Sequence, residues 1–176
     1  MKRVAVFGNA GGGKSTLARQ LAELTQLPWY PLDRIQFKDG GHAVSQAEYL
    51  QAHTEILQQD TWIIDGYGSV ASAWERFAAA DTLIYIDLPL ATHYWRVTKR
   101  FFQGHFTTPQ GWPAGSPIWS STYSSYRVIG LCHRQLTPRY RQLVAEQAAT
   151  KRIHHLRSPG EVAAFLEAIR REYERR

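Results

Sequence analysis

The chain has 176 residues, 44% hydrophobic and 20% charged, which suits a single domain with a real core and excludes a disordered or low-complexity chain. Its lone cysteine, Cys132, excludes an internal disulfide framework and points to a reducing compartment. The net charge of +6 is unevenly placed: residues 1–92 carry 7 basic and 10 acidic side chains, whereas residues 93–176 carry 14 and 5, so nucleic acid, anionic lipid and nucleotide phosphates are all candidate partners.

Short apolar runs alternate with longer stretches of helical period, the pattern of a parallel α/β fold. Met1-Lys2-Arg3 leads into the buried strand Val4–Phe7, a run too short for a signal-peptide core. No run approaches the ~20 apolar residues of a membrane span, so the expectation is a soluble cytoplasmic protein with no membrane partner. After the glycine-rich segment that follows, Leu17, Leu21 and Leu24 predict a helix over about 14–26, and Trp29–Leu32 reads as a weaker strand. Ser45-x-x-Glu48 is a capping-box sequence, and Tyr49, Leu50, Ile56 and Leu57 form the buried stripe of the helix it opens. Trp62–Asp65 and Leu83–Asp87 are continuously apolar, as strands covered on both faces are.

A helix is predicted over 90–102. Then comes Gly104–Ser121, with Pro109, Pro113 and Pro117, three glycines and two tryptophans, a length that marks a lid, a binding loop or disorder. A helical stretch over about 122–149 follows, which Pro138 should kink or split. Arg152–Leu156 is a second weak strand. Ser158-Pro159-Gly160-Glu161 opens a last helix whose buried face is Val162, Phe165, Leu166 and Ile169.

Gly8-Asn9-Ala10-Gly11-Gly12-Gly13-Lys14-Ser15 matches G-x-x-x-x-G-K-[ST] between a buried strand and an amphipathic helix. Without Cβ atoms the glycines let successive N–H groups turn inward around phosphate oxygens, and the helix N-terminus points at the same oxygens. Lys14 should reach the β- and γ-phosphates, and the Ser15 hydroxyl should meet Mg²⁺. Asp65, at the end of an apolar strand, is the expected second metal position, acting through water; the competing reading is a helix cap. Asp33 reads either as an acceptor-binding or activating carboxylate or as a solvated turn residue. Asp87, before Pro89, reads as a helix cap. The seven histidines include no His-x-x-x-His pair, so a structural zinc site is not expected. Trp95, Trp112 and Trp119 are read as lid or core packing ahead of base stacking.

On these residues the sequence resembles the adenylate-kinase-like branch of P-loop kinases, and most of all the small proteins labelled DNA topology modulation proteins. The resemblance is carried by the loop at 8–15, Leu32-Asp33, Trp62–Gly66, the strand ending Asp87-Leu88-Pro89, Arg96-x-x-x-Arg100 and Leu156-Arg157-Ser158-Pro159. It implies a three-layer α/β/α P-loop NTPase fold over 1–176, with a five-stranded parallel sheet and a lid insertion after strand four, at about 96–134. It implies ATP and Mg²⁺ as cofactors. Gly8, Ala10, Gly11, Gly12, Gly13, Lys14, Ser15, Thr16 and Arg157 would contact the nucleotide, and Ser15 and Asp65 would hold the metal. Lys14, Arg96, Arg100 and Asp33 would serve the chemistry, Arg96 and Arg100 facing the phosphates.

The sequence also departs from that pattern. Nucleoside monophosphate kinases follow the Asp-Gly after strand three with Phe-Pro-Arg, but here Tyr67-Gly68-Ser69 follows and the next arginine is Arg76. Arg34 beside Asp33 is a possible substitute. The expected activity is therefore ATP- and Mg²⁺-dependent phosphoryl transfer to a small acceptor, a nucleotide or another small metabolite, of open identity. A nucleotide-gated nucleic-acid-binding protein is the alternative. It is not favoured, because no helix-turn-helix, zinc-finger or RNA-motif sequence is present.

Overall fold

A computed structural model describes residues 1–38, 42–103 and 118–175. Thirteen elements follow one another among them: β1 (Arg3–Gly8), α1 (Lys14–Thr25), β2 (Trp29–Pro31), α2 (Leu32–Gln36), α3 (Gln46–Leu57), β3 (Trp62–Asp65), α4 (Val70–Ala79), β4 (Thr82–Ile86), α5 (Leu90–Gln103), α6 (Ile118–Gln135), α7 (Thr137–Gln147), β5 (Arg152–Leu156) and α8 (Pro159–Glu174). The strands form one parallel sheet in the order β2-β3-β1-β4-β5.

Side chains alternate across a strand, so a continuously apolar run serves two cores at once. In β1, Ala5 and Phe7 join Trp62, Ile64, Leu83 and Tyr85 under α3, α4 and α7. Val4 and Val6 face the other way, with Ile63, Ile84 and Ile86, against α1 and α8. Layers of helix on both sides of a parallel sheet are the result. Pairing of β1 with both β3 and β4 places Gly8, Asp65 and Asp87 along the carboxyl edge, where open α/β sheets bind ligands.

Several boundaries differ from the sequence expectation, each for a local reason. The strand expected over Trp29–Leu32 stops at Pro31, and Leu32 opens the five-residue helix α2. Leu32 is buried in either conformation and one helical turn is too short to show a period. Segment 122–149 divides at Leu136, with Pro138 in the first turn of α7, where its missing N–H costs nothing. Helix α6 begins at Ile118, so the last four residues of the expected loop are helical; the remainder, 104–117, lies outside the described residues. Both capping signals hold: Ser45 and Glu48 form a reciprocal box, and Ser158 accepts from the Glu161 N–H. No helix among the described residues is long and apolar enough to cross a membrane.

Asp87 is not a helix cap. Its carboxylate takes two hydrogen bonds from Arg141, Nε at 2.8 Å and Nη2 at 3.1 Å, and one from His155 Nε2 at 2.9 Å, pinning α7 and β5 to the end of β4. Burial alone would raise its pKa, but the hydrogen bonds from Arg141 and His155 and the charge of Arg141 outweigh burial and hold it below the ordinary carboxylate value. A depressed folded-state value means the unfolded chain binds the proton more readily. The stabilisation is therefore complete above the unfolded value of about 3.9 and is lost as pH falls through the lower folded value. The melting temperature of the wild type is expected to exceed that of Asp87→Asn at neutral pH, and the gap to close as pH falls below the unfolded carboxylate value of about 3.9. A gap independent of pH would refute this account.

Candidate functional site

The glycine-rich turn sits on the end of β1, and helix α1 grows out of it. Gly11 and Gly13 have φ of 69° and 87°, a left-handed conformation in which glycine carries no steric cost. No side chain caps α1 and no acidic residue lies in its first turn. An N-terminus left in that state is suited to an anion. Lys14 Nζ rests 2.9 Å from the Asn9 carbonyl, and Gly12 N–H closes the turn onto the same oxygen at 3.3 Å.

Two elements brace the loop from outside. Buried Asn9 accepts from the Ala10 N–H at 2.8 Å and donates through Nδ2 to the Ile129 carbonyl of α6 at 3.0 Å. From α5, His93 Nδ1 lies 2.8 Å from the Ala10 carbonyl and Arg96 Nη1 donates to the Gly12 carbonyl at 2.8 Å. A carbonyl only accepts, so His93 carries its proton on Nδ1. Burial, with the charges of Lys14 and Arg96 adding to it, lowers the His93 pKa below the usual histidine value, against the opposing influence of the Ala10 and Leu88 backbone carbonyls. A neutral imidazole therefore supports the loop at neutral pH. Sequence reading missed Asn9 and His93 in these roles; the spacing of His93 one turn before Arg96 was the available signal.

Ser15 and Asp65, expected at the metal, are brought together. Ser15 Oγ donates to Asp65 Oδ2 at 2.5 Å, and the Trp29 indole N–H holds Oδ1 at 2.6 Å. Asp65 is 1% exposed. Its burial raises the pKa, against hydrogen bonds from Ser15 and Trp29 and the charges of Lys14 and Arg76. A carboxylate and a hydroxyl already aligned in a dehydrated corner are hard oxygen donors of the kind Mg²⁺ takes. Trp29 was legible only as strand.

The loop and the sheet edge open into one cleft of about 1190 Å³, lined by Gly8, Gly11, Lys14, Ser15, Thr16 and Arg96. Asp33, Gln36, Tyr67, Gln135 and Arg139 line the same cleft. That volume exceeds the ~300–1,000 Å³ of a site for one small ligand. Asp33 thus lies on the cleft, and so does Arg139. Exposed Arg34 is not among its lining residues, and Arg141 is taken up by Asp87. The Arg100 side chain lies outside the described residues. Arg157 lines a second cavity instead, with Asp87 and His155, and donates from Nη2 to His155 Nδ1 at 3.3 Å.

Arg76 lies beneath the Gly66–Gly68 turn and is 1% exposed. Nη2 donates to the Gly66 carbonyl at 3.2 Å, whereas Nε and Nη1 have no protein partner. Among the described residues no carboxylate pairs with it. Burial lowers its pKa, against the opposing influence of Tyr49, Tyr140 and Asp65. An under-partnered buried guanidinium is destabilising relative to an apolar side chain of similar volume. Arg76→Met is expected to leave stability unchanged or to raise it by up to about 3 kcal/mol in urea denaturation. A loss above about 1 kcal/mol would mean the guanidinium is better satisfied than its contacts show.

The chain resembles a shikimate kinase from Acinetobacter baumannii, solved in complex with shikimate, with a TM-score of 0.58 and 15% identity over 96% of this chain and 90% of that one. The two share one fold, helices on both faces of a five-stranded parallel sheet. A gluconokinase from Sinorhizobium meliloti 1021 shares it at a TM-score of 0.51 and 15% identity, over 99% of this chain and 94% of that one. No protein-family model and no curated protein sequence matches the chain. Five parallel strands, a glycine-rich turn after β1 and a helix-borne arginine over that turn are what this fold sets in place here.

Proposed function

We propose that the protein transfers the γ-phosphoryl group of ATP, with Mg²⁺, to a small acceptor held in the same cleft. One observation carries this: a single cavity of about 1190 Å³ is lined both by Lys14, Ser15 and Arg96 and by Asp33 and Arg139, a volume with room for donor and acceptor together. Phosphoryl transfer asks the protein chiefly to position and to neutralise. The backbone amides around Gly11–Ser15 cradle the phosphates, Lys14 swings from the Asn9 carbonyl onto them, and Arg96 adds a second cation above the loop. Thr16 and Gly8 shape the same cradle. Ser15 and Asp65 would hold Mg²⁺, which supplies charge neutralisation at the phosphate oxygens. The acceptor oxygen bonds to the γ-phosphorus as the bridging P–O bond breaks. ADP departs with that electron pair, and Asp33 takes the hydroxyl proton.

The test has two stages. ATP with Mg²⁺ should raise the melting temperature, and labelled γ-phosphate should appear on a small acceptor from a panel of nucleosides, nucleotides and hydroxy acids. Absence of both, with Lys14→Ala indistinguishable from wild type, rejects the reading.

A further inference from the structure

Six large hydrophobic side chains are exposed among the described residues, and four of them, Tyr67, Val70, Val128 and Leu131, line the cleft that Asp33 and Arg139 also line. Scattered exposed apolar side chains need no explanation, but convergence within a concavity does. They come from two sides. Tyr67 and Val70 sit at the start of α4, and Val128 and Leu131 sit on α6. On that helix Ser125, Val128, Leu131, Cys132 and Gln135 recur at spacings of three and four, so one uncharged face meets the cleft.

A polyhydroxylated acceptor between these walls would set hydroxyls against valine and leucine, and each one left unpaired costs about 1–3 kcal/mol. A flat ring loses nothing there and gains buried area and aromatic contact with Tyr67. Polar recognition is left to a few groups. Among the described residues Asp33 is the carboxylate that lines the cleft, and Arg139, with its fork of donors, is a guanidinium on it besides the Arg96 already on the loop.

We propose that the acceptor is an anion built on a planar aromatic or heteroaromatic ring, here called a ring anion, as distinct from a non-aromatic polyol such as shikimate or gluconate. Its planar aromatic or heteroaromatic body sits between Tyr67–Val70 and the α6 face, its anionic group meets Arg139, and its reacting hydroxyl meets Asp33. This rests on the phosphotransferase reading and narrows it to a substrate class. It also separates the chain from its structural neighbours, one of which was solved with shikimate and the other of which is named for gluconate.

Calorimetric titrations of the full chain, with Mg²⁺ and a non-hydrolysable ATP analogue present, should use four probes: a pyridoxine-type ring phosphate, a nucleoside monophosphate, gluconate and shikimate. At least one ring anion is expected to bind about tenfold or more tightly than both polyols, the discrimination a shaped apolar pocket gives. Leu131→Asn should erase that preference, with Val128→Asn as the second variant, and Arg139→Gln should weaken the ring anion about tenfold. Equal or tighter binding of gluconate or shikimate overturns the inference, as does failure of both ring anions to bind or a preference untouched by both α6 variants. Titration of the nucleotide analogue alone separates the two levels. If it fails to bind, the phosphotransferase reading falls and this one with it. If it binds and polyols are preferred, only the ring inference falls.

Discussion

Lys14→Ala is expected to abolish phosphoryl transfer to the extent of about a thousandfold or more in kcat, the order found when a preorganised cation or donor is removed from developing charge. The side chain leaves the first residue of α1 and hooks back to the Asn9 carbonyl at 2.9 Å, so it lies within the turn that would surround the phosphates. Its removal leaves the amide cradle, Arg96 on the Gly12 carbonyl and the Ser15–Asp65 pair in place. Nucleotide affinity should therefore fall less than turnover. A single-turnover measurement with saturating ATP separates the two, because a loss confined to the chemical step is the mark of an interaction made mainly in the transition state. A fall confined to KM, with kcat preserved, would show that Lys14 only binds. Folding should be little affected, since the Lys14 side chain is only half-buried and the turn is closed by backbone bonds.

The parts of this architecture that were legible in the sequence are those whose causes are local. Val4–Phe7, Trp62–Ile64 and Leu83–Ile86 are apolar at every position because each faces two helix layers, and that pattern survives without knowledge of what lies opposite. The phosphate-type turn was legible for the same reason, since its glycines answer to backbone geometry. What stayed hidden depends on partners distant in sequence. Trp29 becomes a hydrogen-bond donor to Asp65 only because β2 lies beside β3. His93 looked like one of seven unremarkable histidines until α5 lay across the loop. Asp87 was read from its neighbour Pro89 as a cap, but Arg141 and His155 are 54 and 68 residues away along the chain. The arginine-rich second half divided in the same unreadable way. Arg96 went to the loop, Arg139 to the cleft and Arg141 to an acid, so a charge count spoke for a polyanion surface more strongly than the structure does.

Gly8→Ala should be strongly destabilising, costing on the order of 4 kcal/mol or more. Gly8 closes β1 at a φ of 142°, outside the range a residue with a Cβ adopts readily. The added carbon would press into the Ile86 carbonyl oxygen and approach its carbonyl carbon to 3.2 Å. These are backbone atoms of the strand paired to β1 at that residue, so relief requires parting two central strands of the sheet. A flexible side-chain end would simply move; a paired strand does not. Gly160→Ala makes the comparison within the same fold, because its Cβ would find only Ser158 Oγ at 3.8 Å, in the first turn of α8. That substitution is expected to stabilise by about 0.5–1 kcal/mol through the unfolded chain. Urea denaturation of both variants reads the two effects with opposite signs. If Gly8→Ala loses less than about 1 kcal/mol, β1 and β4 can separate at the loop, and the rigid floor assigned to the phosphate cradle is absent. If the large loss is seen, nucleotide binding should vanish with it, because the turn that presents Gly11 to Ser15 starts from the strand end this glycine fixes.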